Sequence, residues 1–346
     1  MEKITPNMSF EIPPKTEHVS LSAFITGGTG VVGMALTQSL LQAGYSVCML
    51  IREESGRRKQ VEEAFREEIT EGRLHFLYGD LANLAKWSSA PPAVCQRADI
   101  FFHLGWMGTT GGERADVTLQ QKNIAYTLDS VRFAAVLGCR LWLGAGSQAE
   151  YGPKECPLCP DLQANPVTEY GKAKLRAGSE SRTLCRTLHL QHVWCRILSV
   201  YGPYDGENTM VTSAVRQLLL GEYPKFTRGD QMWDYLYAED AGDALRLAAE
   251  KGRDGAVYCV GSGTAKPLYT YIEAIRDGVN PTLPLGIGEL PYPADSVGRV
   301  TYLKADIGNL SKDTGFFPKV DFKEGIRRTI EWNRKVLART DENVVS

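Results

Sequence analysis

Tyr170 and Lys174, in the run Tyr170-Gly171-Lys172-Ala173-Lys174, are the residues whose types and spacing point most directly to chemistry. Four positions apart on a helix, a phenol and an ammonium share one face. Such a pair can make a proton donor of the tyrosine. A free phenol has a pKa near 10, and bringing it to about 7 takes roughly 4 kcal/mol. One cation about 4 Å away, at an effective dielectric of about 20, is worth about that much. Lys174 is therefore expected to lower the pKa of Tyr170. With 15 tyrosines in 346 residues, chance alone can supply such a pair. Its meaning depends on the elements that position it.

Those elements alternate. Short apolar runs at Ala23 to Thr26, Val47 to Ile51, Leu74 to Tyr78, Ile100 to Leu104, Leu141 to Gly144 and Val193 to Leu198 read as buried strands, with a seventh at Ala256 to Val260. Helical patterns lie between and after them, at Val31 to Ala43, Arg57 to Glu71, Val117 to Leu137, Glu169 to His189, Asp240 to Glu250 and Phe322 to Leu337. A repeated strand-helix rhythm predicts an α/β fold built on a doubly wound parallel sheet. After Val200 prolines and turns break the rhythm, which predicts a smaller lobe assembled from discontinuous segments. The expected division is an N-terminal extension over residues 1–20, a dinucleotide-binding domain over 21–198 plus about 232–262, and a substrate-binding lobe over 199–231 and 263–340.

The first strand runs into Gly27-Gly28-Thr29-Gly30-Val31-Val32-Gly33 and then a helix. In that context glycines let the backbone turn tightly and approach a pyrophosphate, and the amides of the helix start supply positive partial charge. Gly27, Gly30, Val31, Val32 and Gly33 are thus candidate dinucleotide contacts. The next strand ends Leu50-Ile51-Arg52, where an acidic residue would hold a ribose 2'-hydroxyl. Apolar Ile51 and then Arg52, with Arg57, Arg58 and Lys59 close by, predict a preference for NADP(H), because a guanidinium pairs with the added phosphate. Glu53 and Glu54 blunt that argument and leave NAD(H) open. Asp80 and Leu81 close the third strand, where Asp80 either meets the adenine amine or starts a turn. Trp106, in the glycine-rich segment after the fourth strand, stands where open sheets place ligands. It either stacks on a sugar or nicotinamide or fills an apolar pocket.

Composition narrows the classes. A hydrophobic fraction of 43% suits a soluble protein with a large core, and a formal charge of −2 gives no general field for nucleic acid or acidic membrane. No apolar run approaches the roughly 20 residues that span a bilayer, and Met1 to Ser20 lacks the apolar core of a signal peptide. The expectation is a cytoplasmic protein. Eight scattered cysteines read as reduced thiols, and Cys156-x-x-Cys159, lacking a second pair and flanked by Pro157 and Pro160, as an ordinary loop. No metal site is expected, with Cys185 and His189 the residues that keep zinc open.

Taken in order, the glycine turn, Asp80, Ser147, Tyr151-Gly152, Tyr170 with Lys174, Arg196 before Tyr201-Gly202-Pro203, Tyr237 with Asp240, and Asp306 resemble the extended short-chain dehydrogenase/reductase family. The likeness, from about Leu21 to Leu337, is to its nucleotide-sugar epimerases, dehydratases and 4-ketoreductases. The resemblance implies a Rossmann-type fold with Tyr170 as general acid/base. It further implies that Lys174 binds nicotinamide ribose and lowers the tyrosine's pKa, that Ser147 bonds the reacting oxygen, and that Asn123 is a cofactor-side helix asparagine. An Asn bound to backbone is the alternative for Asn123. A carbonyl taking up hydride becomes an alkoxide, which needs such a donor and hydroxyl.

The departures from the family are informative. Its dehydratases carry Asp-Glu after the serine or threonine, and this chain has Gln148-Ala149, which removes their acid and base. Gln148 becomes a candidate substrate contact instead. Ser199 replaces an Asn, and Trp233-Asp234 an Arg-Asp pair, so the usual diphosphate contacts are in doubt. Arg299, ahead of Lys225 and Arg228, is the candidate replacement. The leading expectation is NADPH-dependent reduction of a 4-keto nucleotide sugar, with Tyr170 as proton donor. The alternatives are a 4-epimerase with tightly held NAD+, a ketoreductase acting on a substrate without a nucleotide, and a catalytically silent dinucleotide-binding sensor or scaffold. Family likeness also implies a homodimer through the helices Val117 to Leu137 and Glu169 to His189.

Overall fold

The computed structural model describes residues 21–292 and 300–345; the N-terminal extension expected over 1–20 and Arg299 lie outside them. Seven parallel strands form the central sheet: β1 (Ser22–Thr26), β2 (Ser46–Ile51), β3 (Leu74–Tyr78), β4 (Ile100–His103), β5 (Leu141–Ser147), β6 (Gln191–Ile197) and β7 (Ala256–Val260). Their order across the sheet is 3-2-1-4-5-6-7. The order reverses between β1 and β4, and the crevice at such a switch point is where ligands bind in open α/β sheets.

The strands read as continuous apolar runs because helices cover both faces. Successive residues alternate between two cores, as the two-residue period of a strand requires. Ile25, Met49, Phe102, Leu143 and Val193 pack on one face with Leu36, Leu40 and Leu245. Phe24, Phe101, Trp142 and Trp194 pack on the other with Val131, Phe133 and Ala177. The first group lies under α1 (Val31–Gln42), the second under α2 (Val117–Val136) and α3 (Glu169–Thr187).

The two helices nearest the chemistry have side-chain caps at their starts. Asp116 accepts from the Leu119 amide at 3.0 Å ahead of α2, and Thr168 from the Gly171 amide at 3.1 Å ahead of α3. The single helix expected over Arg57 to Glu71 is instead two, Arg58–Ala64 and Arg66–Thr70. Phe65 breaks it, with φ −122 and ψ 32, by turning its ring into the core at 5% exposure. Burial of an aromatic ring outweighed one turn of helix propensity there.

Beyond β6 the chain leaves the sheet to build α4 (Met210–Leu219), α5 (Ala238–Lys251), α6 (Leu268–Val279) and α7 (Phe322–Val345). Of these, α5 returns to pack on the main sheet's first core through Ala241, Ala244, Leu245 and Ala248. The others share a core of Tyr201, Val215, Leu218, Ile275, Ile326 and Ile330. Short pairings stitch the region together: Ser199–Tyr201 with Tyr235–Tyr237, Lys225–Phe226 with Gly286–Ile287, and Met232–Trp233 with Lys266–Pro267. Among the described residues no helix is long and apolar enough to cross a membrane.

Candidate active site

Two cavities meet at the switch point. One, of about 510 Å³, is lined by Gly27, Thr29, Ile51, Arg52, Asp80, Leu81 and Trp106, among others. Its floor is the glycine turn. Gly27 has φ 73, and a side chain on Gly33 would strike the backbone of Gly27 and Gly28. Gly30 caps α1 without a side chain, and no acidic residue stands in the first turn, so the amides that open the helix face the turn uncompensated. Val31 and Val32 begin that helix.

The basic cluster after β2 divides by partner. Arg57 donates to the carbonyls of Thr29 at 3.2 Å and Tyr204 at 3.0 Å, tying the glycine turn to the segment after β6. Arg58 pairs with Glu62 at 2.7 Å and lies over the Tyr78 ring. Arg52 lines the large cavity and an adjoining basin of about 400 Å³ with Glu53, Glu54, Gly79, Asp80 and Asn83. Among the described residues no carboxylate forms an ion pair with Arg52. Asp80 makes the turn that was one of its two expected roles: its carboxylate accepts from the Ala82 amide at 2.8 Å, and the residue lines the cavity.

The second cavity, about 290 Å³, brings together Ser147 at the end of β5, Tyr170 and Lys174 on α3, Gln148, Val32 and Trp106. Ser147, Tyr170 and Lys174 are all buried. Trp106 lines both cavities, its indole N–H donating to Gln120 Oε1 at 2.9 Å and its ring meeting Tyr170 edge-on at 6.1 Å. Ser147 also caps the short turn Gln148–Glu150 through the Ala149 amide at 3.2 Å.

Lys174 is held by groups other than Tyr170. Its ammonium donates to the Ala145 carbonyl at 2.6 Å and sits 3.8 Å above the Trp106 ring, while the Tyr170 ring centre is 5.9 Å away. Burial brings its pKa down to about 7, with the charge of Glu150 pulling the other way. Burial likewise raises the Tyr170 phenol, and the Ser147 hydroxyl and the guanidinium of Arg114 oppose this. The helical spacing is as expected; the ammonium is drawn toward a carbonyl and an indole that only the fold brings near.

Asn123 is committed to backbone. Its side chain accepts from the Met107 amide at 2.9 Å and donates to the Met107 carbonyl at 2.8 Å, holding the loop that carries Trp106 and lining neither cavity. The direct cofactor contact expected of it gives way to the backbone alternative, because Met107 offers both a donor and an acceptor. Ser199 and Trp233, the two replaced family positions, bond each other: the indole N–H donates to Ser199 Oγ at 2.9 Å. Asp234 is fully buried and accepts from the amides of Ser262, Gly263 and Ala305. Lys225 and Arg228 are paired with Glu289 at 3.1 Å and Asp230 at 3.0 Å.

Two residues of the site were not singled out from sequence. Glu150, fully buried, accepts from the Ser147 amide at 2.8 Å, from the Trp194 indole at 3.0 Å and from Arg196 at 2.7 Å, so it fixes the serine turn from below. Ser147-Gln148-Ala149-Glu150 carries a capping-box pattern that could have pointed to it. Arg114, in the short helix Gly111–Ala115, lines the second cavity and left no signal in its flanking residues. All eight cysteines are free thiols, Cys156 exposed, and no metal-ligating cluster occurs among the described residues.

The sheet order, glycine turn and cavities place the protein in the class of dinucleotide-binding, doubly wound α/β proteins. More narrowly, the chain belongs to the NAD dependent epimerase/dehydratase family, whose model matches residues 23–261. It is 28% identical over 171 residues to dTDP-glucose 4,6-dehydratase of Salmonella typhimurium, covering 48% of this chain and 47% of that protein. The chain thus spans about half the length of the curated relatives it matches. Among solved structures it resembles UDP-N-acetylglucosamine 4-epimerase from Methanobrevibacter ruminantium M1, with TM-score 0.79, 23% identity and coverage of 92% of this chain and 99% of that one. UDP-glucuronic acid 4-epimerase from Bacillus cereus, in complex with NAD, gives TM-score 0.74, 20% identity and coverage of 91% and 99%. These likenesses define the fold. The cofactor named in the second structure is NAD, and the NADP(H) preference read from Arg52 has no support from these neighbours.

Proposed function

We propose that the protein transfers hydride between a nicotinamide dinucleotide and C4 of a nucleotide-linked sugar, without dehydration. The observation that carries this reading is the convergence of Ser147, Tyr170 and Lys174 on one cavity whose wall includes Gln148, with Ala149 buried in the turn behind it. Tyr170 gives its phenolic proton to the oxygen of the reacting carbon, or takes it back in the reverse direction. The Ser147 hydroxyl bonds the same oxygen as charge develops on it. Lys174 stands beside them for the ribose hydroxyls, and Gly27 to Gly33 with the start of α1 for the pyrophosphate. When bound, the nicotinamide supplies or receives the hydride. Neither Gln148 nor Ala149 can do the acid and base work that loss of water across the sugar requires.

Net reduction by NADPH is the leading form, supported by Arg52, which lines the larger cavity without an ion-pair partner among the described residues. A 4-epimerase with retained NAD+ is the second form, supported by the likeness to two 4-epimerases over at least 91% of the chain. Nucleotide released by denaturing the fresh protein separates them: stoichiometric NAD+ indicates the epimerase, and cofactor-free protein that consumes NADPH with 4-keto sugar nucleotides indicates the reductase. In either case Tyr170→Phe is expected to bind cofactor normally and lose at least about 100-fold in turnover. Unchanged turnover would remove Tyr170 from the mechanism.

A further inference from the structure

Arg114 is the one cation on the wall of the catalytic cavity other than Lys174. Its guanidinium carbon lies 4.2 Å from the centre of the Tyr170 ring, over its face, and an N–H of the same group donates to the Thr109 carbonyl at 3.0 Å. Among the described residues no carboxylate pairs with it. A cation over an aromatic face is attracted by the ring's quadrupole, and the attraction grows when the ring carries the negative charge of a phenolate. The contact is therefore stronger in one protonation state of Tyr170 than in the other.

We propose that Arg114 is a positioning residue for proton transfer: held by Thr109 over the Tyr170 ring, it fixes the ring's orientation and adds to Lys174 in favouring the phenolate. This rests on the reading of Tyr170 as proton donor. From α3 itself, Lys174 is turned to Ala145 and Trp106, and Glu169 and Lys172 pair with each other at 2.7 Å. From the turn after β5 come the Ser147 hydroxyl, which favours the phenolate, and buried Glu150, which opposes it but is tied to Arg196. From the loop after β4 comes the uncharged Trp106. Glu113, next to Arg114, lines the other cavity. Arg114 is the nearer of the two cations to the Tyr170 ring, 4.2 Å from its centre against 5.9 Å for Lys174.

Losing Arg114 leaves the phenol with less support for its charged form, so its ionisation moves to higher pH. The experiment compares wild type, Arg114→Gln, Arg114→Lys and Tyr170→Phe, reading the pH profile of kcat/KM. The near-ultraviolet absorbance of tyrosinate, taken as wild type minus Tyr170→Phe and as Arg114→Gln minus the double variant, reads the same ionisation without substrate. Arg114→Gln is expected to move the Tyr170 limb and the absorbance step upward by on the order of one pH unit. Arg114→Lys, which keeps the charge but loses the flat stacking face, should move them less. If Arg114→Gln does not fold, Arg114→Lys is read alone, with a partial upward shift expected. A limb and an absorbance step that stay in place, while Tyr170→Phe is inactive, overturn the role of Arg114 and leave Tyr170 intact. An active Tyr170→Phe overturns the reading of Tyr170 itself.

Discussion

At the scale of single residues, Lys174 shows how burial changes what a charged group does. Its ammonium has been brought to about 7, so near neutral pH it is divided between two forms while its unfolded counterpart is fully charged. The unfolded chain then binds more protons than the folded one between about pH 7 and the ordinary lysine value, and stability attributable to this group rises with pH across that window. Lys174→Met removes the penalty. It is expected to unfold at higher denaturant or temperature near pH 7, by on the order of a few kcal/mol at most, with its advantage shrinking toward pH 10. Melting curves of both proteins over that range check this; an advantage that grows with pH would contradict the burial argument. The same substitution should abolish turnover, which would make Lys174 a residue kept for chemistry against stability.

At the scale of elements, the site depends on how closely the start of α3 approaches the turn after β5. Tyr170 stands on one and Ser147 at the other, and Gly171 is where they touch: a side chain there would strike the Ala149 carbonyl. Gly171→Ala is expected to push α3 away from the serine turn. A displacement near 1 Å at a reacting group costs on the order of 100-fold in rate. Turnover should therefore fall sharply, and by more than cofactor affinity, which the distant glycine turn shares with Lys174. Thr168→Ala, which removes only the cap of the same helix, should cost about 1 kcal/mol of stability and much less activity. Steady-state kinetics with cofactor titration on the two variants separates displacement from simple weakening; equal losses in both would count against a role for the contact.

At the scale of the molecule, long-range ties hold the sheet to the segments beyond it. Arg57 joins Thr29 of the glycine turn to Tyr204, and buried Asp234 gathers amides from Ser262, Gly263 and Ala305. The outer sides of α2 and α3 offer a different kind of surface. Val136 is 42% exposed on α2, and Tyr126, Leu128 and Leu175 are half-buried. Family likeness implies a symmetric contact of these two helices with a second copy of the chain. Light scattering after size exclusion is expected to give the mass of a dimer, and Leu175→Glu that of a monomer; a wild-type monomer would remove the proposal.

What the sequence determined by itself is what local physics dictates. Apolar runs covered on both faces became parallel strands, the glycines opened a turn at the first helix, and the four-residue spacing put Tyr170 and Lys174 on one face of α3. The order of Ser147, Tyr170 and Lys174 was also enough to gather them on one cavity. Tertiary structure decided how those groups are charged and held. Arg114 reaches Tyr170 across more than 50 residues of chain, Glu150 meets Arg196 across 46, and Trp233 meets Ser199 across 34. The ammonium of Lys174 turns to a carbonyl and an indole supplied by two other strand ends. Burial and the distance between charges are properties of packed neighbours, and neighbours in space are not neighbours in sequence.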